Sequence, residues 1–296
     1  MERQNPVQNL ASFMGAGQGG GSGAIRYTPA KLNPWIGFAG FHRGHIPASR
    51  RSFMTLPASD IPLIITSAIN VHARRTDLRD SDERLRLTLE GLRAWMSLRV
   101  FRRIVVCDGT GFDMSSHLKQ LSESGNADIT FESLCFHNDV TLVDTLGKGY
   151  GEGEIVEHAL IHSRLLDGAS SFAKCTSRLW VTNAAACLRH YNGTAALNLA
   201  GGFIPTYVDT RFYICSKAFY ASYLRGCHLA VDEDRVQYLE HQFFASIKGT
   251  RMYRNTLFPT PRVVGISGTT GTPHPTSGLA NLVKDVRNVV LSLAGR

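Results

Sequence analysis

The sequence predicts an α/β protein built on an open, mostly parallel central sheet. Three observations carry this: apolar runs too continuous for half-exposed strands, segments of helical periodicity between them, and their alternation along the chain. IPLIITSAIN (61–70) is the first run and reads as a buried strand. DSDERLRLTLEGLRAWMSL (80–98) places Leu85, Leu89, Leu92 and Met96 on one helical face, with Asp80 and Glu83 able to form a capping box at its start. FRRIVVCDGTG (101–111) is a second buried strand that breaks at glycine, SSHLKQLSES (115–124) a helix, and ADITFESLCF (127–136) a third strand. Such a β-α-β-α-β series implies right-handed crossovers.

Further along, GKGYGEGEIVEHALIHSRLL (147–166) repeats Ile155, Val156, Ala159, Leu160, Ser163 and Leu166 at helical spacing, so GKGYGEG reads as the loop entering that helix. SSFAKCTSRLWVTN (170–183) is a strand, GGFIPTYVDTRFYICSKAFYASYL (201–224) a strand followed by a helix, and VDEDRVQYLEHQFFASIK (231–248) a helix. RVVGISGTTGTPHPTSG (262–278) is a loop. The organisation expected is a flexible Gly-rich leader over 1–58, an α/β domain over 59–278 and an amphipathic helix over 279–296. Trp35, Phe38 and Phe41 of the leader would lie partly over the domain. The terminal helix gathers Leu279, Leu282, Val283, Val286, Val290 and Leu293 on one face, expected to pack on the domain. Its alternative role is an interfacial helix that brings the protein to lipid-linked acceptors.

The 296 residues carry a net charge of +8, which favours an anionic partner such as a nucleotide phosphate, an anionic lipid surface or a nucleic acid. A hydrophobic fraction of 43% and a charged fraction of 19% are those of an ordinary globular protein. The first residues show no secretory pattern, and no apolar run approaches the roughly 20 residues of a membrane span. Six cysteines with no CxxC pair read as reduced, mostly buried thiols of a cytoplasmic protein.

In an open α/β sheet, ligands bind beyond the carboxyl ends of the strands. Four polar clusters fall there: Thr66–Ser67–Ala68, Asp108–Gly109–Thr110, GKGYGEG, and Lys174 to Asn183. The glycine loop is neither a Walker loop nor a dinucleotide fingerprint. Its backbone and Lys148 can still approach a phosphate, with Glu152 turned toward a sugar hydroxyl; alternatively the glycines only make a turn. Asp108 either accepts from a base or ribose or caps the next helix. Lys174 and Arg178, an even number apart on one strand, would present two cations to a phosphate or to the acidic loop. Glu154, His158 and His162 form a metal-capable line at every fourth residue, read more simply as a solvated face. Asp209 and Arg211 share a strand face, and Glu240 beside Leu239, Phe243 and Phe244 is a carboxylate whose pKa partial desolvation would raise.

Taken in order, IPLIITSAIN, IVVCDGTG, GKGYGEGE, KCTSRLWVTN, VDTRFY, YLEHQFF and GISGTTG resemble bacterial glycosyltransferases of surface-polysaccharide synthesis, over about residues 61–270. The resemblance implies a single GT-A-like, Rossmann-type domain that moves a sugar from a nucleotide-sugar donor to a glycan or lipid-linked acceptor. The implied location is cytoplasmic, peripheral at the inner face of the membrane. It implies Ser67, Asp108, Lys148, Glu152, Lys174 and Arg178 at the donor and its phosphates, and Asn183, Arg211 and His241 at the substrates. By analogy with inverting members, Glu240 is the base, with Asp209 in reserve. Members usually hold a manganese or magnesium ion through a D-x-D signature, but SSFAKCTSRLWVTN, at the corresponding place, has no acidic residue. Lys148, Lys174 and Arg178 would then supply the positive charge. The rival enzyme class is a nucleotidyl- or phosphoribosyl-type transferase. The non-enzymatic rival is a basic nucleic-acid-binding or scaffold protein, against which stands the absence of any RNA-recognition motif.

Overall fold

The structure, a computed structural model, describes residues 60–71, 76–124, 128–202, 204–268, 271–273 and 278–294. The expected leader and its aromatic residues lie outside the described residues. Six strands form the central sheet: β1 (Leu63–Ser67), β2 (Arg103–Asp108), β3 (Thr130–Cys135), β4 (Ser171–Thr176), β6 (Ala195–Gly201) and β7 (Pro205–Ser216), in the order β3-β2-β1-β4-β7-β6. β1 pairs parallel with both β2 and β4, and β2 with β3, whereas β7 runs antiparallel to β4 and to β6. The sheet is therefore mostly parallel, as expected. A separate two-stranded sheet joins β5 (Leu179–Val181) to β8 (Val263–Gly265).

Both faces of the central sheet are covered, which explains the continuous apolar runs. Leu63, Ile65, Ile104, Val106, Phe212 and Ile214 point to one face and pack with Leu92, Trp95 and Met96 of α1 (Ser81–Leu98). The alternate residues Ile64, Val105, Cys107, Phe172 and Tyr213 point to the other. There they meet Ile155 and Val156 of α4 (Lys148–His162) and Phe243 of α7 (Leu239–Ile247). The α1 face differs slightly from its expected one. Arg84, Leu87, Thr88, Gly91, Leu92, Trp95 and Met96 are buried, while Leu85 and Leu89 are only partly so. At the head of α1, Asp80 accepts from the Glu83 amide at 2.7 Å, but the Glu83 carboxylate turns to Arg86, so half of the capping box forms.

Helix α2 (Ser115–Ser124) and β3 match their expected segments. The stretch 170–183 is two strands rather than one, because Arg178 takes a left-handed conformation with φ of 67°. In the stretch 231–248, a short 3-10 turn (Glu233–Arg235) precedes helix α7. Sequence periodicity missed α3 (Val140–Leu146), α5 (Ala184–Arg189), β6 and, inside the stretch expected to be a loop, β8; the helix expected after β7 is a single turn, α6 (Lys217–Phe219), running into a π-helical turn (Tyr220–Leu224). The six cysteines are free; four are buried, Cys227 is half-buried and Cys135 is exposed.

The terminal helix α8 (Gly278–Ala294) forms but docks the opposite way from that expected. Its polar residues hold the body. Arg287 donates to the carbonyls of Leu199 (2.6 Å) and Gly202 (3.0 Å), Asn288 to that of Leu257, and Asp285 accepts from the Thr260 amide. The apolar residues Leu282, Val283 and Val286 are 58%, 64% and 58% exposed. The carbonyls of Leu199, in edge strand β6, and of Gly202, just after it, need donors, and Arg287 supplies both.

Candidate functional site

A cavity of about 280 Å³ opens beyond the carboxyl ends of β1 and β4. Thr66, Ser67 and Ala68 follow β1, Gly109 and Thr110 follow β2, and Thr176, Ser177 and Arg178 follow β4. α1 contributes Arg84; α4 contributes Lys148, Gly151 and Glu152; β7 contributes Thr210 and Arg211. Glu240 enters from the first turn of α7, and Ser267 and Gly268 come from the segment after β8. Of the residues singled out from sequence, the fold brings Ser67, Lys148, Glu152, Arg178, Arg211 and Glu240 to this one cavity.

The glycine stretch is not a loop. Lys148 to Gly153 form the first turns of α4, and the glycines serve close packing. A Cβ on Gly153 would lie 2.2 Å from the His228 Cβ, and one on Gly149 would lie 3.1 Å from the Leu239 Cβ. The amide of Gly149, which a phosphate would need, instead donates to the Glu233 carboxylate at 3.1 Å. Glu233, itself 5% exposed, thus caps the positive end of the helix dipole. Of the stretch, Lys148, Gly151 and Glu152 line the cavity, and the side chains of Lys148 and Glu152 bring it their charges.

Lys174 is fully buried and spends its ammonium on the protein. It pairs with the Glu152 carboxylate and donates to Thr176 Oγ1 and to the Thr210 carbonyl, each at 2.9 Å. This is the alternative in which the cation answers the acidic stretch, and it does not line the cavity. Nor do Lys174 and Arg178 share a strand face, since β4 ends at Thr176.

Asp108 is likewise internal. Its carboxylate accepts from the amides of Ile69 (2.9 Å) and Thr110 (2.7 Å) and so ties the loops after β1 and β2 together under the cavity floor. Asp209 accepts from Asn198 and from both the amide and guanidinium of Arg211, which positions Arg211 at the wall. A carboxylate so engaged is a poor reserve base. Asn183 bonds the Thr260 carbonyl and the Arg262 amide, away from the cavity. His241 sits against Tyr207 and Tyr238 rather than on the wall. On α4, His158 stacks on Phe136 and Glu154 accepts from Asn138; among the described residues no group of three or more metal-ligating side chains forms.

Two guanidiniums give the cavity its character. Arg178 is 6% exposed; its Nη1 donates to Ser177 Oγ at 3.0 Å, while its buried Nε has no hydrogen-bond partner. Burial first, and then the neighbouring charge of Arg84, lower its pKa to about 9. Arg84 is 3% exposed, donates to the carbonyls of Ala68 (2.6 Å) and Leu78 (2.8 Å), and is lowered to about 10, chiefly by burial. The buried hydroxyls of Thr66 and Ser67, on the same wall, also lack a partner. Gly268 lets its segment reach the arginine: a Cβ there would lie 2.3 Å from Arg178 Nη2. Two like charges out of water, with donors to spare, are suited to an anion.

Glu240, also in the lining of the cavity, accepts from Thr210 Oγ1 at 3.2 Å. Its pKa is raised, first by burial and then by the negative charge of Glu152. A divalent ion does not fit the carboxylates present, because Glu152 is engaged by the Lys174 ammonium.

Sequence reasoning placed Thr66 at the strand ends but missed Arg84, Thr210 and the Ser267–Gly268 segment as wall residues. A signal for Arg84 existed in its helical phase with Thr88, Gly91 and Trp95, all of which are buried.

No family model matches the chain, and no curated protein matches it. Among solved structures, it is similar to the inositol-1-phosphate CTP transferase from T. maritima (9% identity, 78% of this chain and 96% of that one, TM-score 0.43). It is also similar to the 4-diphosphocytidyl-2C-methyl-D-erythritol synthase from Anaerococcus prevotii (9% identity, 79% and 98% covered, TM-score 0.36). A third likeness is to HddC from Yersinia pseudotuberculosis (12% identity, 53% and 77% covered, TM-score 0.30). All three TM-scores are below 0.5, and no family is shown.

Proposed function

We propose that the chain is a transferase that moves a sugar from a nucleotide-sugar donor to an acceptor hydroxyl. Arg178, beside Arg84, receives the diphosphate, with Lys148 and the hydroxyls of Thr66 and Ser67 on the same wall. Glu240 removes the proton of the acceptor hydroxyl. The new bond forms between that oxygen and the anomeric carbon, the bond from this carbon to the diphosphate oxygen breaks, and the nucleoside diphosphate leaves against the guanidiniums.

Glu240 is the observation that carries this reading. A carboxylate with a raised pKa on a cavity wall is a base in search of a proton, and a hydroxyl acceptor has one to lose. Nucleotidyl transfer to a sugar phosphate needs no such base, because the attacking phosphate oxygen is already ionised. The paired guanidiniums would hold a nucleoside triphosphate equally well, which keeps that second reading in play. The glycan or lipid-linked character of the acceptor, and a role in surface polysaccharides, rest on the sequence resemblance alone.

The test is an activity screen with two readouts. Nucleotide sugars with saccharide acceptors should release nucleoside diphosphate, and Glu240→Gln and Lys148→Ala should each cut that turnover strongly in a folded protein. Pyrophosphate release from a nucleoside triphosphate with a sugar phosphate, in place of diphosphate release, would replace glycosyl transfer with nucleotidyl transfer.

A further inference from the structure

We infer that α8 is a docking helix for an anionic membrane surface, lying on the bilayer rather than crossing it. This goes beyond the transfer reaction and does not depend on it. An amphipathic helix of a globular protein ordinarily buries its apolar stripe. α8 does the reverse, holding the body through Asp285, Arg287 and Asn288. Leu282, Val283, Val286, Val289 and Val290 are left 44% to 64% exposed on one helix. That polar attachment fixes the helix with its apolar side outward, so the exposure is built in by specific bonds.

Charge selects the occupant. Residues 248–296 contain seven basic side chains (Lys248, Arg251, Arg254, Arg262, Lys284, Arg287 and Arg296) and one acidic, Asp285, so most of the net charge of +8 sits here, with Arg287 alone of the described six buried against the body. The turn Met252–Asn255 packs against α8, and Arg251, Arg254 and Arg262 are exposed. Phe258, 37% exposed, adds an aromatic ring to the same segment. An apolar helix face beside exposed arginines suits the headgroup and upper acyl region of an anionic bilayer. A second copy of the chain would bring the same positive charge to the interface. Among the described residues no helix is long and apolar enough to cross a membrane, so the contact is peripheral.

The full chain should co-sediment with vesicles of phosphatidylcholine and phosphatidylglycerol, bind pure phosphatidylcholine far less, and detach as salt rises. Leu282→Glu with Val286→Glu should abolish the binding without lowering the thermal midpoint, both side chains being mostly in solvent. Arg251→Gln with Arg254→Gln should weaken it by about thirtyfold, from roughly one RT-scale increment of 1 kcal/mol for each basic residue. Equal binding to neutral and anionic vesicles, or no binding, would overturn the inference. So would a wild-type dimer in solution that the two glutamates convert to monomer, which would give the face to a second copy.

Discussion

Replacing Lys174 by Met separates a structural cation from a phosphate ligand. Its ammonium has three partners: the Glu152 carboxylate, Thr176 Oγ1 and the Thr210 carbonyl. Methionine fills a similar volume but leaves a carboxylate and a buried carbonyl without their donor. Breaking a buried pair by removing one member costs about 3–5 kcal/mol. Glu152 is 24% exposed, so water recovers part of the loss and the lower end applies, about 3 kcal/mol. For a domain of this size the thermal midpoint should fall by roughly 6–12 °C. The double variant Lys174→Met with Glu152→Gln should lose less than the sum of the two single variants, since the stranded charge is gone. Urea unfolding measures the stability terms, and titration with nucleoside diphosphates measures affinity. Unchanged stability together with a more than tenfold loss of nucleotide affinity (about 1.4 kcal/mol) would refute the structural assignment and make Lys174 a phosphate ligand.

Three further outcomes follow from the site and its supports. Glu240→Gln should lower turnover by about 10²-fold or more, and wild-type activity should rise with pH through a pKa above the ordinary 4.5. Because folding penalises the ionised carboxylate, wild type loses stability as pH rises from about 4.5 through that raised pKa. Glu240→Gln should therefore be the more stable protein at neutral pH, with the gain gone below the ordinary value, as thermal unfolding across pH will report. Arg178→Met should weaken binding of a nucleoside diphosphate by about tenfold to 150-fold, while raising the stability of the unliganded protein, since a desolvated guanidinium with an unpartnered Nε is removed. Gly153→Ala should destabilise by about 2 kcal/mol or more despite alanine's better helix propensity, because its Cβ would meet that of His228 at 2.2 Å; chemical denaturation checks it, and a neutral or stabilising result would return the stretch to a loop.

The sequence by itself determined the architecture of the parallel half. Strands buried on both faces must be apolar throughout, so β1 and β2 announce themselves, helices α1 and α2 carry their own periodicity, and α1 its cap. It also pointed to the clusters at the strand ends, and Ser67, Arg178 and Glu240 do meet at one cavity. What it left open was which charge answers which. Lys174, Asp108 and Asp209 had the right residue types and the right neighbourhoods, yet each is spent inside the protein, Lys174 and Asp108 on elements more than 30 positions away and Asp209 on Arg211 of its own strand and Asn198 of the next. The same holds for the glycines of α4: a run of small residues is silent about whether it admits a phosphate or a neighbouring helix, and the carboxylate of Glu233, more than 80 positions away, decided it. Even the orientation of α8 was settled by three backbone carbonyls, those of Leu199, Gly202 and Leu257, that no periodicity encodes. Local pattern reports what a segment can bury, whereas the choice among partners of equal chemistry belongs to the tertiary fold, where desolvation makes each unpaired group costly.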